Sequence, residues 1–364
     1  MRIWLAASIS PNAYGGVYRS MQTLASEFRR YGHKTELYFS HPERKQHWIR
    51  FSFALALRLF LFFWKRPHWI IARSTDGYFS ATLVRILHMK TKVALHSHGW
   101  EERADELERR LPSSLITNPT TWKARLVSFR LLRRMVAKAS IVMCGTIDET
   151  RWLKKRYPLY KSKFILVPNG VKATYEPFWP QQEERPPSYL MVGGFTWKKN
   201  IEYGLELFRR ILEIEPGARL FLVGFGGLPK QKERLLFPLG DAAFTVDIES
   251  PEKMYRWYES CPVLIFPSRY EGGHPFTILE AQSKGCVVFA SDIASNRECI
   301  TPGVNGYLLS GANPVSDATF IHSVISNNDL MKKIGMGAWK KATRNRVQRQ
   351  GQRSIKILLE KSMT

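Results

Sequence analysis

Short apolar runs alternate with amphipathic stretches along this chain of 364 residues, and the whole alternation occurs twice. Runs of this length are typical of buried strands, and the stretches between them carry apolar residues at helical spacing. Such an alternation predicts βαβ units, in which helices cover both faces of a parallel sheet. In the first half the predicted strands are Arg2–Ser8, Lys34–Ser40, His68–Arg73, Lys92–His98, Ser140–Cys144 and Lys163–Val167.

The stretch Gln181–Pro187 separates the two series, because it is polar and ends in two prolines, as linkers do. We therefore predict an α/β protein with one domain over residues 1–180, a second over 181–335, and a basic helical tail over 336–364. In the second domain the predicted strands are Tyr189–Gly193, Leu220–Gly224, Ala243–Val246, Val263–Phe266 and Cys286–Ala290, and the predicted helices are Ile201–Ile214, Pro251–Glu259 and Thr277–Lys284.

Basic residues exceed acidic ones by 55 to 31, which gives a net charge of +24, and the excess is uneven. Residues 1–180 carry a net charge of +19, residues 181–330 carry −4, and residues 331–364 carry +9. A polyanion is therefore expected to meet the first domain or the tail. Nucleic acid, an anionic membrane and a phosphorylated substrate all fit, although no recognised nucleic-acid-reading module is present.

The segment Phe51–Trp64 is strongly apolar, and Arg58 is its only charged residue. With 14 residues it is too short to span a bilayer. Two interpretations are open: a buried helix of the first domain, or an interfacial helix that touches lipid. The second is supported by the flanking basic residues Arg44, Lys45, Arg50, Lys65 and Arg66.

The cysteines give no sign of a metal site or a disulfide framework, because none forms a C-x-x-C pair. They are Cys144, Cys261, Cys286 and Cys299. No apolar run reaches the roughly 18 residues of a membrane span. The first residues, Met1–Ser8, indicate a buried strand rather than a signal peptide.

Ligands of open α/β sheets bind beyond the carboxyl ends of the strands, so we examined the residues that follow the predicted strands. Gly15 and Gly16 open a helix, where a backbone without Cβ atoms can approach an anion, unless this is an ordinary turn. The motif is not G-x-G-x-x-G, so a nicotinamide cofactor is unsupported. His98 ends another strand, either as a site residue or as a core histidine. No third ligand accompanies His96 and His98, so no metal site is predicted.

Two turns of the second domain suit phosphate groups. Gly194, Lys198 and Lys199 lie between a strand and a helix, where lysines either hold a diphosphate by charge or are merely solvated. A glycine-rich turn with two glutamates follows Val263–Phe266 and opens a helix, whose first amides either bind phosphate oxygens or only cap the helix. The candidate residues there are Glu271, Gly272, Gly273, His274, Pro275, Phe276, Thr277 and Glu280.

These motifs resemble those of glycosyltransferase family 4, the group 1 retaining glycosyltransferases, and the resemblance covers nearly the whole chain. It implies the GT-B fold, in which two Rossmann-like domains face each other across a cleft and the C-terminal helix crosses back to the first domain. The residues that carry it most strongly are Phe266-Pro267-Ser268-Arg269-Tyr270-Glu271-Gly272, Ile278-Leu279-Glu280-Ala281 and Gly303-Val304-Asn305-Gly306-Tyr307-Leu308.

The resemblance implies a nucleotide-sugar donor that is held mainly by the second domain. Lys199 matches the lysine that contacts the donor diphosphate, and Glu280 matches the carboxylate that binds the ribose. Glu271 matches the acidic residue near the transferred sugar. His98 matches a histidine that reaches the sugar or the leaving phosphate, and Gly16 matches the glycine that lets the first loop approach the phosphates.

Two positions depart from the family pattern. Gly194 stands where the family usually has an arginine, so one phosphate-binding charge is missing, and Lys198 or Arg269 would have to substitute. Eight residues separate Glu271 from Glu280, where the family usually has seven. A catalytically weak GT-B scaffold, or a nucleotide-sugar-processing relative, therefore stays open as an alternative.

The activity that the resemblance implies is transfer of a hexose to a hydroxyl with retention at the anomeric carbon. The sequence has no D-x-D motif, and the nearest string is Asp247-Ile248-Glu249. Lys199 and helix N-terminal amides would stabilise the leaving diphosphate instead, so we expect neither a metal nor a cofactor. The expected acceptor is a cell-envelope glycan, a lipopolysaccharide core or a lipid-linked sugar.

The distribution of charge completes the prediction. If the last helix crosses back, the first domain and the tail form one basic surface near Phe51–Trp64. Such a surface favours peripheral docking on anionic lipid. We therefore expect a cytoplasmic protein that docks on the inner face of the plasma membrane and has no nucleic-acid partner.

Overall fold

The structure is a computed structural model that describes residues 1–10, 15–40, 47–116, 120–172, 188–224, 236–247, 250–345 and 347–363. The predicted linker Gln181–Pro187 lies outside these ranges, as do Pro11–Tyr14, Arg44 and Lys45. The chain divides into two compact units. The first consists of Met1–Leu111, Asn118–Gly170 and Val347–Thr364, and the second of Pro112–Thr117 and Val171–Arg346.

The first unit contains a six-stranded sheet, and every neighbouring pair of its strands is parallel. The strands are β1 (Arg2–Ala7), β2 (Lys34–Phe39), β3 (Trp69–Arg73), β4 (Lys92–His96), β5 (Ile141–Cys144) and β6 (Phe164–Leu166). Their order in the sheet is β2-β1-β3-β4-β5-β6. The helices between them are α1 (Gly16–Arg30), α2 (Trp48–Leu61), α3 (Tyr78–Ile86), α4 (Glu101–Glu108), α5 (Trp122–Lys138) and α6 (Ile147–Arg156).

This sheet is buried on both faces, because successive side chains of each strand point to opposite sides and enter two different cores. Trp4 lies in one core with Leu55 of α2 and Met135 of α5. Ile3, the preceding residue, lies in the other core with Phe28 of α1. Helices α2 and α5 therefore cover one face of the sheet, and α1 covers the other.

The second unit repeats the architecture with strands β7 (Ser188–Val192), β8 (Arg219–Val223), β9 (Ala243–Val246), β10 (Val263–Phe266), β11 (Val287–Ser291) and β12 (Tyr307–Leu309). All are parallel in the order β12-β11-β10-β7-β8-β9. The described helices of this unit are α7 (Ile201–Ile214), α8 (Pro251–Ser260), α9 (Phe276–Ser283), α10 (Ala294–Cys299), α11 (Pro314–Ile325) and α12 (Asn328–Arg344), and the last helix of the chain is α13 (Val347–Met363).

The predicted α/β class is confirmed, and each predicted strand is present within two residues of its expected ends. Strand β12 was not predicted. The four cysteines are buried and unpaired, as the sequence indicated. The chain passes from the first unit to the second between Gly170 and Val171 and returns between Arg346 and Val347. The sequence predicted domain boundaries at 180–181 and 335–336 instead.

The basic tail is divided between the two units. Helix α12 packs on α9 in the second unit, so residues 336–344 are not part of a helix that returns to the first domain. Helix α13 does belong to the first unit, where Leu358 enters the same core as Phe28 of α1. That core lies on the face of the sheet opposite to α2. The basic surface expected beside Phe51–Trp64 stays a prediction, since the end of α13 reaches the first residue of β3, where Ser362 accepts a 2.9 Å hydrogen bond from Trp69 Nε1.

Helix α2 is buried on one side and exposed on the other, so it is a core helix of the first unit, while its contact with lipid stays a prediction. Phe51, Leu55 and Leu59 are buried against the sheet, while Phe53 and Phe60 on the other side are 58% and 52% exposed. The helix is apolar around its circumference, but only one side has a protein surface to cover it. No helix in the described ranges is both long and apolar enough to cross a membrane.

Gly337 on α12 tests the packing of this helix. An ideal Cβ atom there would lie 1.8 Å from the carbonyl oxygen of Val304, so a side chain must displace backbone. We expect Gly337→Ala to lower the free energy of unfolding by about 2 kcal/mol, because the overlap outweighs the ~1 kcal/mol that alanine gains over glycine in a helix. Urea denaturation measures the change.

The control is Lys333→Ala, at an exposed position of the same helix, which we expect to alter stability by less than about 0.5 kcal/mol. A Gly337→Ala protein as stable as wild type would contradict this packing.

Candidate functional site

Two loops of the second unit follow paired strands at the same edge of the sheet. Residues 193–200 follow β7, and residues 267–275 follow β10, which pairs with β7 in parallel. Because parallel strands end at a common edge, the two loops lie side by side at the place where such sheets bind ligands. The two phosphate-suited turns predicted from the sequence are therefore adjacent.

Three contacts fix the loops to each other. The backbone N–H of Arg269 donates to the carbonyl oxygen of Lys198 at 2.7 Å, and the Arg269 guanidinium donates to the carbonyl oxygen of Trp197 at 3.2 Å. The rings of Trp197 and Tyr270 stack with 6.5 Å between centroids and 23° between planes. Both rings are almost fully buried. These contacts hold the backbones of the two loops against each other, and the side chains extend from there.

Lys199 and Glu271 form an ion pair between the loops. The Lys199 Nζ lies 2.6 Å from Glu271 Oε1 and 4.9 Å from the ring centroid of Phe266, the last residue of β10. Gly193 makes room for the lysine, because an ideal Cβ atom there would lie 3.3 Å from Lys199 Cγ. Gly193 also has φ +149°, which favours glycine. A lysine and a carboxylate predicted for one site are thus in contact.

Lys198 and Gly194 complete the first loop. The Lys198 Nζ lies 5.5 Å from the ring centroid of Tyr270 and 5.7 Å from that of Trp197, so its charge rests on the stacked pair. An ideal Cβ atom at Gly194 has no heavy atom within 4 Å. Of the two proposed substitutes for the missing arginine, Arg269 holds the loop together, which leaves Lys198 as the better candidate.

The glycine-rich turn leads into α9, whose first two residues are Phe276 and Thr277. The preceding residue, Pro275, has extended backbone, and no acidic residue lies in the first turn, so the positive end of the helix is not neutralised by its own side chains. Gly272 and Gly273 are half-buried. His274 is buried, and its Nε2 lies 3.2 Å from Glu298 Oε2 on α10. This contact anchors the turn in which the additional residue is accommodated.

Glu280 is held separately from Glu271. It is 4% exposed, and the Tyr258 hydroxyl on α8 donates a hydrogen bond of 3.1 Å to its Oε2. Glu271 instead pairs with the loop after β7. The structure therefore gives the two glutamates different supports, one from a helix and one from a loop.

The candidate residues of the first unit lie at the carboxyl edge of its own sheet. The rings of His96 and His98, at the end of β4, have centroids 4.3 Å apart. Burial lowers the pKa of His98 well below its ordinary value and that of His96 to about 4, so both imidazoles are neutral at pH 7. Among the described residues nothing hydrogen-bonds the buried Nε2 of His98.

A buried carboxylate that the sequence analysis missed supports the His98 loop. Glu149 Oε1 accepts a 2.6 Å hydrogen bond from the Ser97 hydroxyl, and Oε2 accepts one of 2.9 Å from the N–H of Gly145. Burial raises the pKa of Glu149 to about 7. The sequence does contain a signal for this carboxylate, since Thr146 and Glu149 form a Thr-x-x-Glu capping pattern, and Thr146 caps α6. Trp197, Tyr270 and Tyr258 were also missed, and no local pattern marks them.

Gly15 and Gly16 lie where α1 begins, as predicted. Gly15 is the residue before the helix, and an ideal Cβ atom there meets no heavy atom of the described residues within 4 Å. No described side chain caps this helix end, and its first turn has no acidic residue. The first unit thus offers a helix N-terminus and a neutral histidine on one sheet. The second unit offers Lys198, Lys199, Glu271 and the start of α9 on the other.

The architecture is that of the GT-B class of glycosyltransferase structures. Sucrose-phosphate synthase from Thermosynechococcus elongatus superposes with a TM-score of 0.77 at 15% identity, over 99% of both chains. HepE from Anabaena in complex with UDP-glucose gives a TM-score of 0.73 at 14% identity, over 98% of this chain and 99% of that one. Identities this low establish the fold alone.

Family models then cover both units. Residues 14–175 match the model described as Glycosyltransferase Family 4, and residues 176–341 match the model described as Glycosyl transferases group 1. The chain therefore belongs to the group 1 glycosyltransferases of family 4, as the motifs indicated. The Vi polysaccharide biosynthesis protein VipC/TviE of Salmonella typhi is 29% identical over 185 residues, which are 48% of this chain and 31% of that protein. The matched part spans about a third to a half of the curated relatives' length.

The neutral histidines make stability depend on pH. As the pH falls from about 6.5 towards 4, the unfolded chain binds a proton at His96 that the folded protein excludes, so the free energy of unfolding decreases. A pKa lowered from 6.5 to about 4 corresponds to a loss of roughly 3 kcal/mol. We expect His96→Gln to remove this part of the pH dependence, measured by urea denaturation between pH 7 and pH 4.5.

His68→Gln, at an exposed position of the same unit, serves as the control and is expected to keep the wild-type slope. Equal slopes for His96→Gln and wild type would show that His96 does not exclude the proton.

Proposed function

We propose that this protein transfers a hexose from a nucleotide-sugar donor to a hydroxyl acceptor and retains the anomeric configuration. The observation that carries the proposal is the Lys199–Glu271 ion pair at the carboxyl edge of the second sheet. A lysine aimed at a helix N-terminal turn suits a diphosphate, because charge develops on that group when the sugar leaves. Membership of the family and the fold support the same reaction.

The donor diphosphate replaces Glu271 as the partner of Lys199 in this proposal. Lys199 then stabilises the leaving nucleoside diphosphate, together with Lys198 and the first amides of α9. The reaction needs no metal or other cofactor, because these cationic and amide groups supply the charge stabilisation that D-x-D enzymes obtain from a metal. The departing phosphate takes the proton of the acceptor hydroxyl, on the face from which it leaves.

The remaining residues orient the donor. Glu280 accepts hydrogen bonds from the ribose hydroxyls, because Tyr258 fixes the position of this carboxylate. Glu271, once released from Lys199, contacts the transferred sugar. His98 hydrogen-bonds the sugar through its neutral ring, and Gly15 and Gly16 allow the backbone at the start of α1 to approach an anionic group.

The proposed acceptor is a glycan of the cell envelope, either a polysaccharide, a lipopolysaccharide core or a lipid-linked sugar. One comparison supports this acceptor, since VipC/TviE is named for polysaccharide biosynthesis. The HepE structure, which contains UDP-glucose, supports the nucleotide-sugar donor instead. A thermal-shift screen of nucleotide sugars would identify the donor, because a ligand at about 100 times its dissociation constant adds roughly 2.7 kcal/mol to the folded state.

The proposed place of action is the inner face of the plasma membrane, to which the protein binds peripherally through α2. We define the α2 stripe as the exposed side chains Ile49, Phe53, Leu57, Phe60 and Trp64, which are 40–63% exposed. Ile49, Phe53, Leu57 and Phe60 follow one another at helical spacing on the exposed side of α2, and Trp64 lies in the short 3-10 turn Phe63–Lys65 that follows. Exposed apolar rows of this kind mark interaction surfaces.

Anionic lipid is the partner that fits the charges around the α2 stripe. The helix contains no acidic residue. Arg50 and Lys65 at its two ends and Arg85 of the adjacent α3 are all exposed. Aromatic and aliphatic side chains that enter the interface, with basic residues at their margin, bind bilayers of negative charge.

Lys199→Ala tests the proposed chemistry. We expect turnover to fall by about two or more orders of magnitude, because losing one donor aimed at developing charge costs about 3–4 kcal/mol. Release of nucleoside diphosphate from the donor measures it. Lys332→Ala, at an exposed position of the same unit, is the control and is expected to keep wild-type turnover. Near-normal turnover of Lys199→Ala would remove Lys199 from the site.

Gly194→Arg tests the departure from the family pattern. The position is open, and its backbone is outside the left-handed region, so a side chain fits without strain. We expect KM for the donor to fall about tenfold or more, because a charge-assisted hydrogen bond contributes about 1.5–3 kcal/mol. Gly194→Gln adds a similar volume without charge and is expected to leave KM nearly unchanged. Equal effects of the two substitutions would contradict a phosphate next to residue 194.

Serine substitutions in the α2 stripe test the membrane contact. We expect Phe53→Ser with Phe60→Ser to reduce sedimentation with vesicles of phosphatidylcholine and phosphatidylglycerol by about tenfold or more, because each phenyl ring contributes up to 1.5–3 kcal/mol when it leaves water. Phe237→Ser, at an 88% exposed position of the second unit, is the control. Unchanged sedimentation of the double variant would exclude the α2 stripe as the contact.

A further inference from the structure

A cavity lined mainly by arginine and tyrosine residues lies in the first unit. Its volume is about 340 Å³, and it is lined by Arg133, Arg134 and Ala137 of α5 and by Arg156, Tyr157 and Tyr160 at and beyond the end of α6. Three guanidinium groups and two phenol rings therefore converge on one depression. None of these residues has a role in the sugar transfer proposed above.

A single buried carboxylate orients two of the arginines. Glu102 of α4 is 3% exposed, and its Oε1 lies 2.8 Å from Nε of Arg133 while its Oε2 lies 3.6 Å from Nε of Arg156. The Tyr157 hydroxyl donates a 2.7 Å hydrogen bond to the same Oε2. Both arginines approach Glu102 through Nε, so one buried carboxylate fixes the position of two guanidinium groups.

The cavity keeps an excess of positive charge. Glu102 is the only carboxylate among the described residues that pairs with Arg133 or Arg156, and none there pairs with Arg134. Three positive charges thus face one negative charge that is buried beneath them. Lys163 is not one of the lining residues; its Nζ lies 5.0 Å from the ring centroid of Tyr160 and donates to the carbonyl oxygens of Val136 and Ala137.

The cavity lies at the edge of the sheet opposite to the candidate donor-binding groups. Its residues come from the last turns of α5 and α6, which directly precede β5 and β6, so it lies at the amino ends of the strands. His98 and the start of α1 lie at the carboxyl ends. Helix α5 also packs on α3, which packs on α2, so the cavity belongs to the same helical layer as the α2 stripe.

We propose that the cavity formed by Arg133, Arg134 and Arg156 binds a phosphate ester, with an anionic phospholipid headgroup as the source that the structure favours. Guanidinium groups pair with phosphate oxygens through two parallel hydrogen bonds, and orientation by Glu102 reduces the ordering that binding requires. The shared layer with the α2 stripe favours a lipid over a soluble ester. The inference deepens the peripheral association proposed above and is independent of sugar transfer.

The test uses the full chain and two ligands. Sedimentation with vesicles of phosphatidylcholine that contain phosphatidylglycerol measures binding to anionic lipid. Calorimetry with glycerol 1-phosphate measures binding of a soluble phosphate ester. We expect Arg134→Gln with Arg156→Gln to weaken vesicle binding about tenfold or more. Arg134→Gln alone, which breaks no ion pair in the described residues, is expected to show a smaller loss and guards against unfolding of the double variant.

Arg151→Gln is the matched control, because it removes an exposed arginine from α6 outside the cavity. If it weakens vesicle binding as much as the double variant does, general charge explains the binding and the proposal is overturned. Loss of glycerol phosphate binding alone, with vesicle binding intact, would keep the phosphate site and assign it to a soluble ester. Loss of neither would overturn it. Turnover is measured in parallel and is expected to stay at the wild-type level, which separates this test from that of the proposed chemistry.

Discussion

The ion pair between Lys199 and Glu271 depends on the parallel pairing of β7 and β10. Parallel strands end at one edge, so the loops that follow them are neighbours although about 70 residues separate them in sequence. The stacking of Trp197 on Tyr270 and the hydrogen bonds of Arg269 then remove the freedom of both loops. A preformed pair of this kind fixes the position of the lysine and, in the proposed reaction, leaves the carboxylate placed to accept a hydrogen bond from a sugar hydroxyl when the lysine changes partner.

The candidate residues of the two units differ in burial and in charge. In the second unit Lys199 and Glu271 are partly exposed and form an ion pair. In the first unit burial removes charge, since His96 and His98 are neutral at pH 7 and the pKa of Glu149 rises to about 7. A neutral imidazole can donate one hydrogen bond and accept another, which suits contacts with sugar hydroxyls. Charged groups suit a diphosphate, so each unit offers the chemistry that its proposed ligand needs.

The sequence predicted the parts of this structure that local pattern controls. Strand and helix periodicity located each predicted strand, and the order of motifs from Phe266 to Leu308 located the family. The sequence did not predict the features that depend on long-range contacts. The bond from Tyr258 to Glu280 joins two helices with no shared pattern, and β12 is a three-residue strand between glycine-rich turns. The protonation state of His98 follows from its burial, which a lone His-Gly pair does not reveal.

The sequence also could not predict where the basic residues lie in space. Composition correctly located the excess in the first half and the tail, but a sequence cannot tell which face of a sheet a returning helix covers. Leu358 of α13 shares its core with α1, and that core lies across the sheet from α2, so α13 packs on the face opposite to the α2 stripe. Exposed basic residues close to the stripe lie at the ends of α2 and on the adjacent α3. The proposed membrane contact would therefore use one helical layer of the first unit, to which both the apolar row and the arginine cavity belong.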